Sequence, residues 1–218
     1  MSKTRRFNRI HIAGPSGTGK TTLAKLLSGG LQIPYITTSA KVIWPKYDII
    51  KHSESFELPI SRFITYQGDI NDRRITDLIG KTSFITDRSS LDSITYFLDN
   101  AAGRVSKVEC DIFINEVLAN MIISTDVIFF LPYDFDKQSL PENDGHRVTN
   151  RYYQEKSNVV FEYVIKMLSD KKLTENWKHT TLEEGKVHVF KLNTWDKYKK
   201  FEQASNIING EIWRNLFI

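Results

Sequence analysis

Gly14-Pro15-Ser16-Gly17-Thr18-Gly19-Lys20-Thr21 fits the pattern G-x-x-x-x-G-K-[ST]. The apolar run Ile10-His11-Ile12-Ala13 leads into it, and Thr22-Leu23-Ala24-Lys25-Leu26-Leu27 leaves it with helical spacing, so the motif stands between a strand and a helix. Three glycines let successive backbone N–H groups turn inward without a Cβ clash. With the positive end of the following helix they make a nest for a polyphosphate. Lys20 is expected to reach the β- and γ-phosphates and the Thr21 hydroxyl to ligate Mg²⁺. The expected nucleotide contacts are therefore Gly14, Ser16, Gly17, Thr18, Gly19, Lys20, Thr21 and Thr22.

A chain of 218 residues suits one domain spanning 1–218 and can bury a core without staples. The single cysteine, Cys110, excludes an internal disulfide framework and a cysteine-based zinc site. No run of about 18 apolar residues occurs, and Met1-Ser2-Lys3-Thr4-Arg5-Arg6 lacks the apolar core of a signal peptide, so a cytoplasmic protein is expected. The net charge of +4 is unevenly placed. Residues 1–9 carry Lys3, Arg5, Arg6 and Arg9 with no acid, and residues 171–201 carry eight lysines against four acids. Such fringes suit either solvated lysines or contact with nucleic acid.

Short apolar strands are expected at 7–13, 33–37, 82–86, 127–131 and 187–192. Apolar residues at i, i+3, i+4 spacing predict helices over 20–29, 59–79, 89–101, 106–124, 147–172 and 196–208. This alternation predicts an α/β fold with a five-stranded parallel sheet covered by helices on both faces, a three-layer α/β/α sandwich. The stretch from Pro132 to Gly145 is the longest loop beside the expected nucleotide site, and a movable segment is expected there.

Ligands of such sheets sit at the carboxyl ends of strands, which directs attention to Asp87, directly after the third expected strand. A carboxylate there would hold Mg²⁺ through a water, accept the proton of an attacking hydroxyl, or share both tasks. It would equally serve as an N-cap for the helix over 89–101. Arg88 follows at once and adds a cation to the same strand end.

These residues resemble the small P-loop kinases. Leu31 to Thr38 is similar to the second-strand segment of adenylate-kinase-like enzymes, and Asp87-Arg88-Ser89 resembles the acid-Arg-Ser motif of deoxynucleoside kinases. Phe129 to Tyr133, followed by Asp144-Gly145-His146-Arg147, is similar to the strand, lid loop and D-G-x-R of the nicotinamide-riboside-kinase-like ATPase family. The resemblance implies a P-loop NTPase fold with a helical lid over about 132–156, and ATP and Mg²⁺ as cofactors. One departure stands out: the second strand ends in Thr37, Thr38 and Ser39, without the Glu that deoxynucleoside kinases use as base.

In the lid, Arg147 and Arg151 stand at i and i+4 and would reach one cleft, where a guanidinium suits charge on the transferred phosphoryl group. The acceptor pocket is expected along the helix over 59–79, where Phe63, Tyr66, Gln67 and Arg74 offer an aromatic wall, an amide and a cation. Plain core packing of Phe63 and Ile70, with Gln67 and Arg74 in solvent, accounts for these residues at least as well. Leu27-Ser28-Gly29-Gly30 resembles a transporter-ATPase signature, but a glycine helix stop explains it better. Asn193-Thr194-Trp195-Asp196 lies where GTPases read guanine and lacks their lysine, while Trp195 offers a ring for stacking on adenine.

Three functions fit. The first is transfer of the γ-phosphate of ATP to a nucleoside, nucleotide or related small metabolite, with Lys20, Asp87, Arg88, Arg147 and Arg151 as the catalytic set. The second is a kinase acting on nucleic acid, such as a bacteriophage 5-hydroxymethyluracil DNA kinase. The third is a non-kinase P-loop NTPase.

Overall fold

The computed structural model describes residues 7–101, 103–134, 150–169 and 187–210. Four parallel strands, β1 (Arg9–Ala13), β2 (Phe84–Thr86), β3 (Val127–Phe130) and β4 (His188–Lys191), form one sheet in the order β2-β1-β3-β4. Among the described residues six α-helices accompany them: α1 (Lys20–Leu31), α2 (Ile60–Leu78), α3 (Ser90–Ala101), α4 (Lys107–Ser124), α5 (Arg151–Ser169) and α6 (Lys197–Ile208). Two 3-10 helices, Ala40–Tyr47 and His52–Phe56, fill the segment before α2.

β2, β3 and all of β1 but Arg9 are buried on both faces, β4 only at Phe190, and their period of two divides the core in two. Ile10, Ile12, Val127 and Phe129 face α1 and α6, meeting Leu23, Leu27, Ala204 and Ile207. Ala13, Ile128 and Phe130 face the opposite way and meet α3, α4 and α5 through Phe97, Val117 and Phe161. The result is the expected three-layer sandwich, with β1 in the middle and its neighbours supplied by later parts of the chain.

The second of the five expected strands, 33–37, is reduced to a single parallel bridge from Tyr35 to Ile85. The Ile36 N–H donates to the Ile85 carbonyl at 2.8 Å and the Ile85 N–H to the Pro34 carbonyl at 2.8 Å. Pro34 has no N–H to extend this ladder, and the Ile33 N–H is already bonded to the Ser28 carbonyl at 3.3 Å. The described sheet is therefore four-stranded, not five-stranded.

Helix α1 corrects a second expectation. It runs through Gly29 and Gly30 and stops at Gln32, which takes the left-handed conformation at φ 54°. Gly30 is not a stop signal. A Cβ there would lie 2.6 Å from the Phe201 ring, so the missing side chain lets α6 approach α1. The lid expected over 132–156 falls largely on residues 135–149, outside the described residues. None of the described helices is long and apolar enough to cross a membrane.

Candidate nucleotide and acceptor site

β1 ends at Ala13 between β2 and β3, at the point where the chain leaves the sheet in opposite directions for its neighbours. The next residue, Gly14, takes φ +140°, and a Cβ there would stand 2.3 Å from the Leu131 carbonyl oxygen. The extension of β3 thus passes where any side chain would be. Gly17 and Gly19 also hold positive φ, 83° and 87°, which folds the loop into a concavity lined by backbone N–H groups. The Thr18 hydroxyl braces it by donating to the Pro15 carbonyl at 3.0 Å. Gly19 precedes α1 without a side-chain cap, so the helix start faces the loop. The Lys20 ammonium, on a residue 6% exposed, donates to the carbonyls of Gly14 at 2.6 Å and Pro15 at 2.5 Å.

The Thr21 hydroxyl donates to Asp87 Oδ2 at 2.5 Å. Asp87 follows β2 and also receives the Tyr35 phenol, which burial and this carboxylate together push up to about 12. Asp87 does not cap α3. Ser89 does: its N–H and hydroxyl both donate to Asp92 Oδ2, at 2.9 and 2.8 Å, and its Oγ accepts from the Asp92 N–H at 3.3 Å. Asp87 is thereby left to the phosphate side of the site.

Arg88 is held from two directions. Its Nη1 lies 3.3 Å from Asp92 Oδ1, and its carbonyl lies 3.2 Å from His11 Nδ1. Burial opposes the guanidinium charge, but Tyr96, Asp92 and Asp87 around it outweigh that penalty and hold its pKa above the ordinary value. The other His11 nitrogen, Nε2, lies 3.1 Å from the Ser124 carbonyl and 3.2 Å from Thr125 Oγ1. Burial pushes the His11 imidazole down to about 4, so it is neutral at pH 7 and carries one N–H.

A cavity of about 380 Å³ opens from this corner. It is lined by Ser16, Thr21, Asp87 and Arg88, by Tyr66, Gln67, Ile70 and Arg74 of α2, and by Trp44 and Tyr96. The Trp44 indole N–H donates to the Tyr66 hydroxyl at 3.1 Å, fixing both rings. Gln67 is 5% exposed and borders the cavity. Arg74 Nη1 donates to the Ser89 carbonyl at 3.1 Å and to Ser93 Oγ. Burial pushes Arg74 down to about 10, which leaves it a cation at neutral pH.

Phe63 is the exception among the expected acceptor residues. It is wholly buried, stacked on Phe97 at 6.2 Å between ring centroids, and does not border the cavity. It lies a turn closer to the start of α2, where the helix meets α3. Thr22, an expected nucleotide contact, is exposed on the first turn of α1. Arg151 opens α5 as an exposed residue and is not among the cavity's described lining; Tyr153, two residues on, is. Arg147 lies outside the described residues.

Sequence reasoning missed Trp44, Tyr96 and Tyr153. Trp44 sits in a 3-10 helix containing Pro45, which has no 3.6 period to read. The aromatic pair Trp44 and Tyr47 flanking that proline was the available signal.

A family model described as an AAA domain matches residues 9–185. A search of curated protein sequences found no match. Deoxyadenosine kinase from M. mycoides with bound dCTP superposes with a TM-score of 0.61 at 15% identity, over 92% of this chain and 98% of that one. Thymidylate kinase from Candida albicans gives 0.57 at 18% identity, over 99% and 98%. NadR in complex with NAD and AMP-PNP gives 0.54 at 17% identity over 96% of this chain, which spans 51% of the NadR chain. With identities this low the structures speak for the fold, a P-loop kinase-like α/β fold, and the sequence model speaks for the lineage: the chain belongs to the AAA domain family.

Proposed function

We propose that the protein is a phosphotransferase that moves the γ-phosphate of ATP to a nucleoside, nucleotide or related small metabolite. The observation that carries this reading is that one cavity is lined both by Ser16 and Thr21 of the phosphate loop with Asp87, and by Trp44, Tyr66, Gln67 and Arg74. About 380 Å³ suits one small flat molecule with hydrogen-bonding edges.

The backbone nest around Gly17 and Gly19, with Lys20, would bind the donor phosphates and orient the γ-phosphoryl group toward the cavity. Thr21 and Asp87 offer a hydroxyl and a carboxylate, hard oxygen donors that fit Mg²⁺ sharing its shell with phosphate oxygens and water. Bound there, the ion would neutralise charge building on the phosphate oxygens. The acceptor hydroxyl oxygen forms a bond to the γ-phosphorus as the bond to the β-bridging oxygen breaks, ADP leaves, and the hydroxyl proton departs. Asp87 is the one carboxylate among the described residues lining the cavity, and takes that proton if the protein does. Arg88 adds a fixed positive charge on the path between donor and acceptor.

Two cations of the basic fringes are committed within the fold. Arg9 pairs with Asp126 at 2.5 Å, and Lys200 is buried, which favours the small-molecule reading over a nucleic-acid kinase. The test is transfer of labelled phosphate from ATP to nucleosides, nucleotides and DNA at 50 and 200 mM salt. Label in a free nucleoside or nucleotide with weak salt dependence is the expected result. Label in DNA alone, lost at the higher salt, would overturn it in favour of the nucleic-acid kinase. Release of inorganic phosphate without any acceptor would favour the non-kinase NTPase.

A further inference from the structure

Lys200 stands in the first turn of α6, four residues after Asp196, which caps the helix by accepting from the N–H groups of Tyr198 and Lys199. A cation near a helix start is unfavourable, and burying one adds a desolvation cost. Lys200 is nevertheless only 5% exposed. Its ammonium lies 5.7 Å from the centre of the Trp195 ring and donates to the Thr18 carbonyl at 2.9 Å. Desolvation pushes its pKa down, as expected for an ammonium placed against interior groups.

The Thr18 carbonyl belongs to the same peptide unit as the Gly19 N–H. None of the described peptide bonds is cis, and in a trans peptide the carbonyl and the N–H point in opposite directions. A carbonyl held outward toward α6 therefore turns the Gly19 N–H inward, to the concave side of the phosphate loop. Gly19 has φ +87° and no Cβ, so little else prevents this peptide from rotating over.

We propose that Lys200 is a positioning residue that latches the Thr18 to Gly19 peptide from behind, keeping the Gly19 N–H aimed at the bound phosphates. This rests on the reading of the loop as a polyphosphate site, and extends it to a residue from the last helix of the described chain. Lys200 acts through the backbone and touches no ligand. Its effect is accordingly independent of the base.

The test compares ATP with inorganic tripolyphosphate, which has no base, by titration calorimetry on the full chain. Lys200→Met keeps an unbranched stem over Trp195 and removes the donor; Lys200→Arg restores a donor. The Met variant is expected to bind both probes about tenfold more weakly with its melting temperature nearly unchanged, and the Arg variant to recover most of the loss. In the parent, the Gly19 amide proton should move downfield on adding tripolyphosphate, a readout that needs no variant to fold. An unshifted Gly19 amide, equal tripolyphosphate affinity in the parent and Lys200→Met, or a loss confined to ATP would each overturn the proposal. A parent that binds neither probe would instead overturn the reading of the loop.

Discussion

Thr21 and Asp87, 66 positions apart in the chain, are joined by a hydrogen bond of 2.5 Å from the Thr21 hydroxyl to Asp87 Oδ2. The bond ties the first turn of α1 to the end of β2 and places two hard oxygen donors together on the cavity lining. Because Ser89 and Asp92 cap α3 between themselves, the carboxylate of Asp87 has no structural duty at that helix.

Asp87→Asn should therefore leave stability within about 1 kcal/mol of the parent, since the amide oxygen still accepts from Thr21. Phosphoryl transfer should fall by roughly 10² or more, through loss of a metal partner and proton acceptor. Thermal melts and turnover on the same preparation check it. A lowered melting temperature with normal turnover per folded molecule would assign Asp87 to the fold.

Lys20→Ala removes the ammonium that bridges the Gly14 and Pro15 carbonyls. Both carbonyls lie in a loop, so the fold should survive. Transfer should drop by roughly 10² or more, because one preorganised charge contributes about 3 kcal/mol to such a transition state. Comparable turnover in variant and parent would refute the assignment of the loop.

Gly14→Ala tests the close approach of β3. The new Cβ would meet the Leu131 carbonyl oxygen at 2.3 Å, at a φ of +140° that L-residues avoid. A loss of about 3 kcal/mol or more is expected from a clash with backbone that cannot rotate aside. Chemical denaturation measures it directly.

Gln67→Leu tests the acceptor site. Gln67 is 5% exposed beside Tyr66 and Arg74 on the cavity wall. The variant should raise KM for the acceptor roughly tenfold or more, because a ligand group that bonded the amide is left unpaired. Affinity for ATP measured without acceptor should not change. An unchanged KM would remove Gln67 from the acceptor site.

His11 sets a pH dependence. Its folded pKa, about 4, lies below the ordinary value of 6.5, so in this range the unfolded chain binds the extra proton. Its contribution is complete above pH 6.5, declines as the pH falls toward 4, and levels off below. The change amounts to about 3 kcal/mol. His11→Asn should flatten that part of the stability profile relative to the parent.

Helix α2 was legible because its apolar spacing puts Phe63, Tyr66, Ile70 and Leu78 on a buried side that packs against α3 and α4. α2 and α4 fall within one residue of their expected ends. The phosphate loop was legible because its glycines answer to backbone geometry, written locally. What could not be read was set by distant partners. Gly30 looks like a helix stop until Phe201 is packed against it. Phe63 and Gln67 share the face of a helix, yet one meets Phe97 and the other the cavity, a distinction made by α3. Lys200 counts as one more surface lysine until α6 docks on the phosphate loop. The strand at 33–37 has the right residues for pairing, but Pro34 has no N–H and the Ile33 N–H is already bonded to the Ser28 carbonyl.

The contact between Thr18 and Lys200 closes a span of 182 residues. During synthesis the phosphate loop leaves the ribosome 182 residues ahead of its rear support. β1 likewise waits for residue 84 before it gains a strand on one side and for residue 127 on the other. A nascent chain that stalls before residue 127 would hold the motif with β1 still unpaired on the β3 side.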